Sequence, residues 1–310
     1  MNANQTMFTD FIILGLSNNP KLKTPLFFFL LLIYVFTLAG NISIICVSQL
    51  DKTLHTPMYF FLQNLSFLDI CYTSTTMPKM LQALIVERKV ISFAGCVTQM
   101  YFFLTFVGTE CVLLCVMSYD RCLAICYPFR YCIIMNRKVC LSLSSFSWIS
   151  GLINSIVHTF FTFHLNFCDH NKINYFYCDI PPLLSISCKD TSINEILLLS
   201  IGMFIGWTPF LCIIVSYLCV ILTILKIKST DGRQKAFSTC ASHITVVVIY
   251  FGSVLFSYVR PISRYSLSKD RVISVLYSVV SPMMNPLIYT LKNNDVKNAM
   301  RRQFMFKQRS

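Results

Sequence analysis

Met117-Ser118-Tyr119-Asp120-Arg121-Cys122-Leu123-Ala124-Ile125-Cys126 closes an apolar run that begins near Phe93. An acid and an arginine stand side by side at the end of a stretch long enough to cross a bilayer. Charge at the end of a membrane helix reaches the interface at modest cost, whereas the same pair at mid-membrane is expensive. The stretch therefore predicts a spanning helix whose charged end lies in water. Taken alone, the pair also suits a snorkelling anchor.

Apolar runs recur on both sides of it. The 310 residues are 55% hydrophobic and only 13% charged, with a mean hydropathy of +0.63. A soluble domain carries roughly 25% charged residues, so this composition points to an integral membrane protein. Seven runs lie near residues 24–50, 57–80, 93–126, 139–164, 196–226, 236–259 and 270–291. Each suffices to cross a hydrocarbon core of ~30 Å. The expected fold is an all-α membrane protein, a seven-transmembrane helix bundle with a short amphipathic C-terminal helix. One domain, 1–310, divides into an outer segment 1–23, the bundle 24–291 and a cytoplasmic tail 292–310. No strand-period alternation recurs, which argues against a β-barrel. No internal repeat is present.

Charge orients the bundle. With the N-terminus outside, more than half of the 26 Lys and Arg fall on cytosolic segments and helix ends, in the direction of the positive-inside rule. The net charge of +13 then reads as topology and not as nucleic-acid binding. The basic tail 297–309 suits a short amphipathic helix on an anionic leaflet. Residues 1–20 lack a basic start followed by an apolar core, so the first spanning run is expected to act as insertion signal. Asn4-Gln5-Thr6 is a glycosylation sequon on the outer side; the matches at Asn41 and Asn64 lie inside membrane runs.

Polar residues inside the runs mark function. Asp69 sits near mid-membrane in the second run, and Glu110 in the third. Glu110 is eleven residues before Arg121, about 20° off the same helical face and about 16 Å up the axis. Phe103 and Val107 continue that face outward. Two carboxylates in low dielectric cannot both ionise without a counter-ion. Asp69 and Glu110, with Asn41 and Asn285, are expected to form a polar core that binds a sodium-like cation. The alternative is one protonated acid donating a hydrogen bond. No other cofactor is expected. Of the 15 cysteines, Cys96, Cys168, Cys178 and Cys188 fall on the outer side, where three pairings are open. The rest read as buried small residues or reduced thiols, and no metal-like Cys/His spacing occurs. His158 and His164, near the outer end of the fourth run, read as polar packing residues. The long segment from about Leu165 to Ser192 reads as a tethered lid.

Four motifs carry a family resemblance. They are Met117–Cys126; Pro57-Met58-Tyr59-Phe60-Phe61-Leu62 with Leu65-Ser66 and Asp69; Lys235-Ala236-Phe237-Ser238-Thr239-Cys240-Ala241-Ser242-His243; and Pro282-Met283-Met284-Asn285-Pro286-Leu287-Ile288-Tyr289. Across nearly the whole chain they resemble the olfactory receptors of the rhodopsin-like G-protein-coupled receptor family. The resemblance implies an odorant receptor in the plasma membrane, N-terminus outside, which binds a small-molecule odorant and couples to a stimulatory olfactory-type G protein that raises cyclic AMP. It implies that Arg121 meets the G protein and that Asp120 restrains it at rest. Tyr217, His243, Asn285, Pro286 and Tyr289 would belong to the same switch. Disulfides would join Cys96 to Cys178 and Cys168 to Cys188. Ligand would lie among Phe103, Leu104, Val107 and Gly108, facing Ile201, Ile205, Phe251, Leu255, Tyr258 and Ser278. That lining is apolar, so the expected ligand is small, neutral and mostly hydrophobic, with Tyr258 and Ser278 placed to orient one oxygen.

Departures from the family pattern are Ser118, Cys122 and the order Tyr250-Phe251-Gly252. A transporter would show paired repeats and broken helices. An enzyme would show a nucleophile–base pair, a phosphate loop or a metal cluster. Neither signature is found. A retinal pigment would resemble rhodopsin and need a lysine within the seventh run, and an amine receptor would resemble its own family in carrying an acid where Phe103 stands; this chain has neither.

Overall fold

The computed structural model describes residues 10–16, 19–86, 89–167, 171–226, 229–258, 267–291 and 294–307. Helix starts follow local capping chemistry. Helix α1 (Pro20–Leu50) begins with proline in its first turn, and the Asn19 side chain accepts from the Lys21 N–H at 3.1 Å. Helix α2 (Pro57–Ile85) also starts on proline. Helix α3 (Phe93–Cys126) is capped by Ser92, and α4 (Arg137–Phe163) by Asn136. Helix α5 (Ser192–Leu225) contains a π-turn at Met203–Trp207. Helix α6 spans Thr230–Tyr258. Helix α7 (267–291) contains a second π-turn at Leu276–Val280. Helix α8 is Asn294–Lys307, the C-terminal helix expected from the tail.

Helices α5 and α6 begin earlier than their apolar runs, at Ser192 and Thr230 instead of near 196 and 236. Hydropathy stops at polar residues such as Asn194, Glu195 and Arg233, whereas backbone hydrogen bonding does not. Among the described residues, six helical segments are long and apolar enough to cross a membrane by length and composition. Helix α2 has the length, at 29 residues, but Asn64, Asp69, Thr73 and Lys79 dilute it. Phe28, Leu32, Leu211 and Leu222 on the perimeter are 55–68% exposed. A soluble surface would not tolerate such a belt; it suits lipid.

Helix α3 is the buried axis, packed against α2, α4 and α5. Its closest neighbour is α4. Gly108 backs onto the Gly151 Cα, and a Cβ built on Gly151 would collide with Thr109 and the Thr105 carbonyl. Small residues let the two backbones approach this closely. Helices α1 and α7 meet similarly, where a Cβ on Gly40 would lie 2.9 Å from the Pro286 ring.

The outer end carries a small sheet that the sequence did not reveal. Strand β1 (Asp10–Ile13) pairs antiparallel with β2 (Val90–Ser92) and parallel with β3 (Lys172–Ile173). Strands of two to four residues are too short to show alternation. Phe11 and Ile13 are fully buried, and Phe11 meets the rings of Phe93 and Phe167. The turn after β1 uses Gly15 at φ 78°, a conformation open to glycine. Cys96 and Cys178 form a disulfide with a Cα–Cα distance of 5.5 Å, tying α3 to the lid. Cys188 is disulfide-bonded; its expected partner Cys168, like the sequon asparagine Asn4, lies outside the described residues. At the inner end, Arg302 of α8 pairs with Asp51 at 2.7 Å. Hydrogen bonds from Thr53, then from Arg302, hold the Asp51 carboxyl below the usual range.

Candidate functional site

An apolar cavity opens between α3, α4, α5 and α6, with Ile180 of the lid above it. Helix α3 contributes Leu104, Val107, Gly108 and Cys111, an i, i+3, i+4, i+7 stripe. Helix α5 contributes Leu198, Gly202, Ile205 and Gly206, and α6 contributes Val254, Leu255 and Tyr258. Six of the expected lining residues therefore meet here: Leu104, Val107, Gly108, Ile205, Leu255 and Tyr258.

The other four stand elsewhere. Phe103 is four residues before Val107, about 40° round the helix from it, at the edge of the α3 stripe. Its ring packs against Tyr177 at 4.6 Å and Tyr72 at 5.5 Å, on the side of α2 and the lid. Ile201 is half-buried and lies outside the α5 lining. Phe251 is fully buried between Phe210 and Tyr250. Ser278 is fully buried and donates to the Ser274 carbonyl at 2.6 Å, so its hydroxyl is committed within α7.

Helix α4 supplies lining that sequence reasoning left out, Asn154 and His158. Their i, i+4 spacing on a helix with small residues at Gly151 and Ser155 was the available signal. Below the cavity, the Tyr250 hydroxyl donates to the Val107 carbonyl at 2.8 Å. The hydroxyl displaced by the Tyr250-Phe251 order thus ties α6 to α3.

The lid acid Asp179 was also unforeseen as a site residue. It is 1% exposed. Tyr258 donates to its two oxygens at 2.9 and 3.0 Å, and the Ile180 N–H donates at 2.8 Å. Burial pushes its carboxyl up to about 7, against the lowering effect of those hydrogen bonds.

At mid-membrane, Asn285 Nδ2 donates to Asp69 Oδ2 at 2.9 Å. Asn41 donates instead to the carbonyls of Thr37 and Pro282, so it braces α1 against α7. Glu110 is fully buried, and the charge of Asp69 acts on it. Among the described residues, Asp69 Oδ1, both Glu110 carboxyl oxygens, Asn285 Oδ1 and Asn41 Oδ1 have no hydrogen-bond partner. All are oxygens, the donor type for a hard cation. No cluster of three His, Cys, Asp or Glu suited to a metal occurs among the described residues.

At the inner end, Arg121 is 5% exposed and its Nε lacks a partner. The expected Asp120–Arg121 pairing is not what the geometry shows. Asp120 accepts from the Tyr131 hydroxyl at 2.8 Å, and no ion pair within 4.0 Å joins Asp120 to Arg121 among the described residues. Adjacent helical residues point ~100° apart, and Tyr131, on the short helix Pro128–Ile134, occupies the acid's side. Tyr217 and His243 Nδ1 share a hydrogen bond of 2.7 Å between α5 and α6. His243 Nε2 and the Tyr289 hydroxyl are buried without partners among the described residues. Pro286 lies within α7.

A membrane-spanning helical bundle with an apolar outer cavity, a polar middle and a charged inner end defines the class of seven-helix receptors. The comparisons narrow it. A family model described as olfactory receptor matches residues 30–307. Olfactory receptor 5AP2 of Mus musculus is 52% identical over 301 residues, covering 97% of this chain and 95% of the relative. Olfactory receptor 5I1 of Homo sapiens is 49% identical, covering 96% and 95%. Olfactory receptor-like protein OLF1 of Canis lupus familiaris is 47% identical, covering 99% of each. The chain belongs to the olfactory receptor family, multi-pass membrane receptors and not enzymes.

Proposed function

We propose that this odorant receptor takes a small, neutral, mostly hydrophobic volatile in the outer cavity and activates a stimulatory, olfactory-type G protein that raises cyclic AMP. One observation carries the ligand class: among the described residues, no Lys, Arg, Asp or Glu lines the cavity. A permanently charged ligand would be buried unpaired, at a cost of several kcal/mol. A small apolar molecule gains about 25 cal/mol per Å² buried. Asp179 stands behind Tyr258 and is already capped by hydrogen bonds, so it offers no free counter-charge.

Signalling is a population shift in which ligand favours an opened inner face. Arg121 Nε, His243 Nε2 and the Tyr289 hydroxyl, which lack partners among the described residues, support an inner network that re-pairs on activation. The receptor works at the plasma membrane with its N-terminus outside. The polar core around Asp69 and Glu110 holds a sodium-like cation in the resting state, a reading supported by its orphaned oxygens. The test is ligand-driven cyclic AMP in cells expressing the receptor with that G protein. Uptake of an accumulating solute without cyclic AMP would favour a transporter instead.

A further inference from the structure

Tyr258 was the natural candidate to orient a ligand oxygen, but its hydroxyl is spent on Asp179. The cavity's remaining polar capacity lies on the opposite side. His158 lines the cavity and is 5% exposed. Neither ring nitrogen has a hydrogen-bond partner among the described residues. One helical turn away, Asn154 is 8% exposed and spends one amide hydrogen on the Leu104 carbonyl at 3.3 Å. Its Oδ1 accepts nothing from the described residues. Leu198, Ile205, Val254 and Leu255 supply the apolar remainder.

We propose that His158 and Asn154 form a polar subsite on α4 that recognises the hydroxyl of an apolar alcohol. The proposal rests on the odorant-receptor reading above and names its ligand class. With no carboxylate on the wall to hold an imidazolium, the ring presents one N–H and one lone pair. Asn154 adds an acceptor at Oδ1 and its second amide hydrogen. A hydroxyl donates one hydrogen and accepts two, so it pairs three of these four groups. An ether or carbonyl oxygen only accepts and leaves both acceptors of the site unpaired. A carboxylate finds no cation and an amine no free acid. An unpaired group in a dry site costs more than an unmade bond in water, which turns the mismatch into discrimination.

The test is a series of linear and cyclic alcohols with their methyl ethers, aldehydes, carboxylic acids and parent hydrocarbons. Each is scored by cyclic AMP potency in cells with surface expression measured. Alcohols are expected to exceed their methyl ethers by about tenfold. His158→Phe should bring that ratio to about one, and His158→Gln, which keeps a donor and an acceptor, should restore it. Best responses to ethers, aldehydes, hydrocarbons or acids would overturn the subsite while leaving the receptor reading intact. An alcohol preference that survives His158→Phe would do the same. Silence towards every class at normal surface expression would overturn both.

Discussion

Tyr258 donates to both carboxylate oxygens of Asp179, at 2.9 and 3.0 Å, and so latches the outer lid to α6 across 79 residues of sequence. This single relationship revises what a tyrosine at the cavity edge does. Its ring lines the cavity while its hydroxyl holds the roof.

Tyr258→Phe should therefore weaken all agonists alike, by about tenfold or more, the value of a hydrogen bond to a charged group. A loss confined to oxygenated agonists, in a potency series, would return the hydroxyl to the ligand. The latch is also linked to pH. Asp179 is raised from 3.8 to about 7 by burial. Between those values the folded lid holds a proton that the unfolded chain has lost, so stability falls as pH rises through the window. The slope is at most about 1.4 kcal/mol per pH unit. Tyr177, Tyr258 and Tyr277 are the groups that bear on it, and none titrates there. Purified receptor should melt lower at about pH 8 than at about pH 6, and Asp179→Asn should remove the difference.

Val107→Trp should fill the cavity. Val107 lies in the middle of the lining stripe, so an indole there projects into the cavity. Overpacking of this kind costs about 1–3 kcal/mol, here taken from ligand binding. Agonist potency should fall at least tenfold with surface expression retained. Unchanged potency would move the site elsewhere.

Replacing sodium with a large organic cation in receptor membranes should raise agonist potency severalfold, because the resting state loses its counter-ion. Asp69→Asn should make potency blind to the exchange. If the wild-type receptor already ignores sodium, a protonated acid accounts for the polar core.

Arg121→Ala should bring agonist-driven cyclic AMP to background while surface labelling persists; a normal response would remove Arg121 from coupling. Since Asp120 is held by Tyr131, Tyr131→Phe withdraws a bond worth about 1.5–3 kcal/mol. Basal cyclic AMP should rise, and an unchanged baseline would mean that Asp120 restrains nothing.

Much of the molecule was legible in one dimension. An apolar run ending in Asp120-Arg121, prolines at positions 20 and 57 that open helices, and outer cysteines at 96 and 178 depend only on local composition and order. So do the polar residues of the middle, because a carboxylate in an apolar run is conspicuous wherever its helix turns. Tertiary structure decided the rest. Whether Phe103 or Leu104 faces the cavity depends on the rotation of α3, which the close contact of Gly108 with Gly151 imposes. Ser278 and Tyr258 looked free until their partners came within bonding distance from Ser274 and Asp179. His158 looked like packing until the packing of α3, α5 and α6 left a cavity beside it. The three-strand cap unites residues about 80 apart in turn, each piece too short to signal itself. Hydropathy and periodicity are properties of a segment. The phase of a helix and the partner of a polar group are set only by what packs against them.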